Sequence, residues 1–284
     1  KELVGSGIWN SISSMGNILL SGLDLLICNS LLGATAMGVL SLSKILALYL
    51  QQLSSSLTGA FLPEMTLDYA MEDKENMKRN INRAMKITAS IMTIAVAGII
   101  IYSKSFFELW VPTQDSQQLA ILSILSLLGY IFTSGTQILY NAFTATNHVK
   151  QNSIAMLSSG VVSLLLTFLL VKFTNLGIYS IVISSTVCNF IRNMSFTLPF
   201  AARYLGFKWN SFYPMCLRTL ISTALIGLVG YGILYLIPNN TWVLFFVKVV
   251  ITAVTGLLIN LILMLSKEDK AFLSSKLKKI FKKQ

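Results

Sequence analysis

A chain of 284 residues, 54% hydrophobic and only 12% charged, has too little polar surface to coat a water-soluble globule, and its mean hydropathy of +0.70 places it in a bilayer. Its apolar stretches lack the two-residue alternation of barrel strands, so the expected fold class is all-α: a polytopic membrane helix bundle of about eight transmembrane helices. The net charge of +11 comes mainly from short loops and the C-terminal end, which calls for no nucleic acid partner.

In chain order the expected spans cover about 5–30, 36–67, 83–103, 118–141, 152–172, 177–202, 215–237 and 242–265. No signal peptide is visible in the sequence, and because it opens on Lys1 and leads at once into a helix start, the chain is expected to be the C-terminal portion of a longer protein. The stretch from Phe61 to Pro112 orients the rest. Its charged turn holds Lys74, Lys78, Arg79, Arg83 and Lys86, and the same side of the membrane receives Lys1, Lys150, Arg203, Lys208, Arg218 and the C-terminal lysines. The other side has only Lys104 and Lys172. Short loops rich in Lys and Arg stay in the cytoplasm, so both ends of this chain are expected to be cytoplasmic. Beyond the last span, Leu273, Leu277, Ile280 and Phe281 recur at helical spacing among lysines, as in a surface helix on anionic lipid; a solvated basic tail fits equally well.

Polar side chains are costly against lipid, so polar stripes on apolar helices mark faces turned toward other helices or water. In the first span Asn10, Asn17 and Asp24 recur every seven residues, with Ser14, Ser21 and Cys28 on the same face. The second carries Lys44, Gln51, Ser55 and Thr58, the fourth Ser126, Tyr130, Thr133, Gln137 and Asn141, and the sixth Ser185, Asn189, Arg192 and Asn193. These four spans are expected to surround a polar cavity, with the third, fifth, seventh and eighth supporting it.

Four ionisable groups inside spans need an account. Asp24 and Lys44 lie at similar depth and could pair, either as a structural ion pair or as one that shifts during transport, with Asp24 meeting a cation such as H+ or Na+; spacing alone leaves the pairing open. Arg192 has no acidic residue in its own span, which points to an anionic ligand, with snorkelling or pairing with backbone carbonyls as the alternative. Lys248 is placed near a span end, where snorkelling accounts for it. Cys28, Cys188 and Cys216 read as small core residues and His148 as a solvated loop residue. No metal-ligand spacing, nucleophile–base pair or phosphate-cradling glycine loop occurs, and no loop is long enough for a catalytic domain, so neither a cofactor nor an enzyme activity is expected.

The segments LLSGLDLLICNSLLG, PEMTLDYAMEDKENMKRNINRAMK, FFELWVP and NAFTATNHVKQNS resemble the bacterial polysaccharide flippases of the Wzx type. These belong to the superfamily that also holds multidrug and toxin extruders and lipid II flippases. The resemblance covers roughly residues 1–205. It implies a six-helix C-terminal lobe over 1–205, an appended helix pair over 206–265 and a basic cytoplasmic tail over 266–284, with the N-terminal lobe absent. It also implies a bacterial cytoplasmic membrane location and a substrate, an undecaprenyl-pyrophosphate-linked oligosaccharide, moved outward by alternating access. Pathway polymerases and glycosyltransferases are the implied partners, beside membrane lipids. Pyrophosphate would suit Arg192 and Lys44, while Asn10, Asn17, Gln51, Gln137, Asn141 and Asn189 would bond sugar hydroxyls. The competing expectations are a multidrug cation antiporter of the same superfamily, which would want a carboxylate-dominated cavity, an integral-membrane glycan polymerase, and a non-transporting scaffold.

Overall fold

The computed structural model describes residues 2–238 and 241–271, with side chains from residue 7 onward. Among the described residues all regular structure is helical. The expected surface helix through Leu273, Leu277, Ile280 and Phe281 lies outside them.

The first span is α1 (Glu2–Asn17), a π turn (Ile18–Gly22) and α2 (Asp24–Leu32). Gly33, at a φ of 91° that side chains rarely adopt, reverses the chain into α3 (Ala34–Gly59). Pro63 then starts the short α4 (Leu62–Ala70), where it sacrifices no helical hydrogen bond. α5 (Lys74–Trp110) is the longest helix; its N-cap Asp73 accepts from the Asn76 N–H at 3.0 Å. Asp68, buried at the end of α4, accepts from the Asn76 and Asn80 amides, each at 2.6 Å, and ties the charged turn shut. The chain continues through α6 (Ser116–Thr133), α7 (Ile138–Ala145), α8 (Val149–Phe173), α9 (Tyr179–Arg192), a second π turn (Asn193–Thr197), α10 (Leu198–Tyr204), α11 (Tyr213–Leu236) and α12 (Trp242–Leu263).

Among the described residues seven helical stretches are long and apolar enough to cross a membrane, with Gly7–Leu32 and Ala34–Ala70 each counted as one. The expected span over 177–202 is not among them, although helix runs unbroken from Tyr179 to Tyr204 through the second π turn. Its polarity explains the shortfall: Asn189, Arg192 and Asn193 sit in mid-helix, turned inward rather than to lipid. The expected fourth span is not one helix, because a turn over 134–137 separates α6 from α7.

The helices form a ring with a buttress. Around the ring, α1 packs on α8, α8 on α9, α9 on α6, α6 on α3 and α3 on α2. Behind it stand α5, α11 and α12, packed on one another, with α5 and α11 also against α6. The α1–α8 crossing is set by glycine. A Cβ on Gly160 would lie 2.6 Å from the Gly16 carbonyl oxygen, and one on Gly16 would lie 2.6 Å from the Leu157 nitrogen. Only hydrogen fits there, so the two backbones meet directly.

The buttress is held by buried hydrogen bonds. The Asn260 amide donates to Ser90 O at 2.7 Å and Thr93 Oγ1 at 3.0 Å, and its oxygen accepts from Ser222 Oγ at 2.6 Å, so one side chain joins α5, α11 and α12. Tyr102 donates to Gly230 O at 3.1 Å and shares a 2.7 Å hydrogen bond with Thr252 Oγ1. Lys248 does not snorkel into water: it is fully buried, with Nζ 3.5 Å from Ile237 O at the C-terminus of α11, where a cation meets the negative end of the helix dipole.

Asn260→Ala is expected to destabilise the bundle by about 1–2 kcal/mol, the range of interhelical hydrogen bonds in membranes. Thr255→Ala should leave the thermal unfolding midpoint in detergent unchanged, because that half-buried hydroxyl bonds only carbonyls of its own helix. Equal midpoints for both variants would mean that Asn260 does not hold the buttress.

Candidate functional site

The ring encloses a cavity of about 570 Å³. Asn10 and Asn17 reach it from α1, Lys44 and Gln51 from α3, Gln137 from the turn before α7, Asn141 from α7, and Asn189 and Arg192 from α9. The eight residues singled out by helical spacing thus converge on one space. α8 also contributes to the wall, through Val149, Asn152 and Met156, so the expectation that the fifth span only supports the cavity is corrected. Its cavity-facing polarity is confined to its first turn, which the span estimate placed at the membrane edge. α5, α11 and α12 supply none of the lining.

Local helix irregularities present these groups. At the first π turn the ladder runs from Leu23 N–H to Ile18 O, and in the same turn the Ser21 carbonyl accepts from Lys44 Nζ at 3.3 Å. Lys44 also makes an ion pair and hydrogen bond with Asp24. Asp24 is 4% exposed and stands behind the cavity wall rather than in it, so the Lys44 charge is already matched by protein.

Arg192 is placed differently. It is 7% exposed, and one terminal nitrogen donates to Asn189 Oδ1 at 2.7 Å, while its guanidinium carbon lies 5.5 Å from the centre of the Tyr140 ring. Asn189 Oδ1 also accepts from the Asn193 amide at 3.1 Å, and Asn193 in turn accepts from the Tyr140 hydroxyl. This chain of bonds fixes the guanidinium from one side. Its Nε and second terminal nitrogen are buried with no protein hydrogen bond, and no ion pair to Arg192 forms among the described residues. A buried donor without an acceptor is costly, which makes this the place in the cavity where an anion gains most.

Helical spacing did not single out Tyr140 or Asn152 as ligand residues. Tyr140 lies three residues after Gln137 and continues the stripe of the fourth span across the break, which is the signal that would have found it. Asn141 Nδ2 and Asn152 Oδ1 are likewise buried without a protein partner. His148, expected to be solvated, is half-buried before α8 and hydrogen bonds the Tyr204 hydroxyl; burial pushes its pKa below the ordinary imidazole value, opposed by a backbone hydrogen bond at Thr146. Among the described residues no cluster of His, Cys, Asp and Glu is arranged to hold a metal.

The fold and cavity define a multi-pass membrane protein whose polar interior carries an underpaired cation. The family model described as lipid II flippase MurJ matches residues 9–265, and the chain belongs to that family. The match runs through α11 and α12 as well as the ring, farther than the likeness to polysaccharide flippases suggested. A curated relative from Bacillus subtilis (strain 168), described as the uncharacterized membrane protein EpsK, is 26% identical over 243 residues, covering 85% of this chain and 48% of that protein. The chain therefore spans about half the length of the curated relative it matches. No solved structure matches it.

Lys44→Ala would leave Asp24 buried without its cation, a loss that typically amounts to about 3–5 kcal/mol. The double change Asp24→Asn with Lys44→Gln removes both charges and should recover much of that stability, read as the unfolding midpoint in detergent. A double variant no better than Lys44→Ala would show that the pair contributes through something other than mutual neutralisation.

Proposed function

We propose that the longer protein to which this chain belongs moves an undecaprenyl-pyrophosphate-linked oligosaccharide repeat unit from the inner to the outer leaflet of the bacterial cytoplasmic membrane, by alternating access, for polysaccharide export. The observation that carries the reading is Arg192: a buried guanidinium with two unpartnered nitrogens on a cavity whose wall also carries Lys44, amides, hydroxyls and apolar side chains. A pyrophosphate supplies the missing acceptors, and the amides of Asn10, Asn17, Gln51, Gln137, Asn141 and Asn189 exchange water for sugar hydroxyls. These side chains lower the barrier to carrying a polar head group through hydrocarbon, and no covalent step is needed. Membership of a lipid II flippase family supports a substrate carried on a lipid. The polymeric glycan, as opposed to a cell-wall precursor, rests on the likeness to Wzx-type flippases.

In this reading Lys44 turns from Asp24 to the entering phosphate, and Asp24 then takes a cation, H+ or Na+, in its place. Glycosyltransferases that build the repeat unit and the polymerase that consumes it are the pathway partners, and both ends of this chain face the cytoplasm. A multidrug antiporter is disfavoured, because the charged side chains of the wall are Lys44 and Arg192, with Asp24 behind them already engaged.

The test is the sidedness of lipid-linked glycan in cells lacking the native full-length gene. Wild type should clear an inner-leaflet build-up. Arg192→Ala should lower clearance by roughly tenfold to a hundredfold, as expected for loss of charge-assisted hydrogen bonds. Lys172→Ala, exposed at the end of α8, should act as wild type. Unchanged sidedness without the gene would sink the substrate assignment; full clearance by Arg192→Ala would sink the role of Arg192.

A further inference from the structure

A second charged cavity, of about 380 Å³, lies at the opposite end of the buttress from Trp110, where α5 begins and α12 has just ended. One face of α5 lines it with Lys78, Arg79, Arg83 and Lys86, and the ring of Phe207 forms a wall. Gly206, at a φ of 72°, turns the loop after α10 so that the Lys78 ammonium sits 5.6 Å over that ring.

The cavity already holds an anion belonging to the chain itself. Asp269 is 4% exposed while its neighbours Lys267, Glu268 and Lys270 are exposed. Its carboxylate accepts from Lys86 Nζ at 2.8 Å, lies 3.8 Å from Arg83 Nε, and accepts from the Ser266 N–H at 3.0 Å and hydroxyl at 2.6 Å. The Ser266 hydroxyl accepts in return from the Asp269 N–H at 3.3 Å, a reciprocal cap of the kind that starts a helix. A cap alone is ordinarily a surface feature; here it inserts a charge between two cations of another helix. Burial alone would raise the pKa of Asp269, but hydrogen bonds from Lys86 and Ser266 and the Lys86 charge outweigh it and hold the carboxyl below its ordinary value. The contact is therefore intact at neutral pH and is lost only as pH falls through that lowered value.

The donors that hold this carboxylate are those a phosphate requires. With Asp269 withdrawn, the remaining charges among the described residues that line the cavity are the four cations of α5 against Glu75 and Glu268, of which Glu75 is exposed and 3.3 Å from Lys78. The position selects the source of the phosphate. α12 ends only three residues before Ser266, and the exposed rings of Tyr204 and Trp209 flank the Phe207 loop, an arrangement of cations and amphipathic aromatics suited to the head-group level of a bilayer.

We propose that this cavity is a phosphate site on the membrane face read as cytoplasmic, filled here by Asp269, and that the phosphodiester of an anionic phospholipid displaces the carboxylate and releases the 266–271 segment from α5. The proposal does not depend on what the central cavity carries. Occupancy of this site would report the charge of the surrounding leaflet to the end of α12.

Hydrogen exchange of residues 266–271 tests it, with the full-length protein in nanodiscs of phosphatidylcholine alone or mixed with phosphatidylglycerol. Phosphatidylglycerol should speed exchange there by roughly tenfold in wild type. Asp269→Asn should exchange fast in both lipids and retain more phosphatidylglycerol by native mass spectrometry. Arg83→Gln with Lys86→Gln should lose the lipid response and the retained lipid, while Lys86→Arg, which keeps the charge, should behave as wild type. No acceleration in wild type, or retention unaffected in the Arg83→Gln/Lys86→Gln protein, overturns the proposal. Acceleration by inorganic phosphate in pure phosphatidylcholine discs, equal to that by phosphatidylglycerol, would overturn the lipid source.

Discussion

A full charge held inside hydrocarbon must find compensation, and the interior of this chain follows from how half-buried Lys44 and buried Arg192 and Lys248 obtain it. Lys44 has a carboxylate and a carbonyl, and Lys248 lies close to the last carbonyl of α11. Arg192 receives an amide oxygen and an aromatic face, with two nitrogens left over. The first two arrangements match charge to charge or charge to dipole, so a ligand can engage Lys44 only by taking the place of Asp24. The third is incomplete, and it is also the one that the π turn after α9 and the Tyr140–Asn193–Asn189 chain hold in position. The least satisfied group is thus the most carefully oriented one.

The two halves of the architecture serve that difference. α5, α11 and α12 are joined by a buried amide and hydroxyls that have discrete partners, so their relative register is fixed. The ring carries the irregularities: π turns in the first and sixth spans and a turn over 134–137 in the fourth. Each of the three lies beside the cavity wall: the first π turn offers the Ser21 carbonyl to Lys44 on the unbroken α3, Gln137 stands in the 134–137 turn, and Arg192 immediately precedes the second π turn.

Family membership and the cavity chemistry are separate lines that meet. The match to lipid II flippases gives the family, and the substrate proposed above rests on that family together with a wall of amides, hydroxyls and apolar side chains that carries Lys44 and an underpaired guanidinium. The chain spans about half the length of its Bacillus relative.

Much of this was legible in the order of residues. Stripes at helical spacing sorted Asn10, Asn17, Lys44, Gln51, Gln137, Asn141, Asn189 and Arg192 onto inward faces, because hydrocarbon tolerates polar side chains only where helices or water cover them. The all-helical class followed from the same penalty applied to the backbone. Tyr140 and Asn152 escaped, since a tyrosine beside a helix break and an asparagine at a span edge are equally at home in a membrane interface. Tertiary structure alone decided that Asp24 neutralises Lys44, that Lys248 is buried, and that Asp269 enters the cluster on α5 from 183 residues away from Lys86. Spacing along one helix says which way a side chain points, whereas pairing depends on the depth and rotation of two helices relative to each other, and those are set only when the bundle packs.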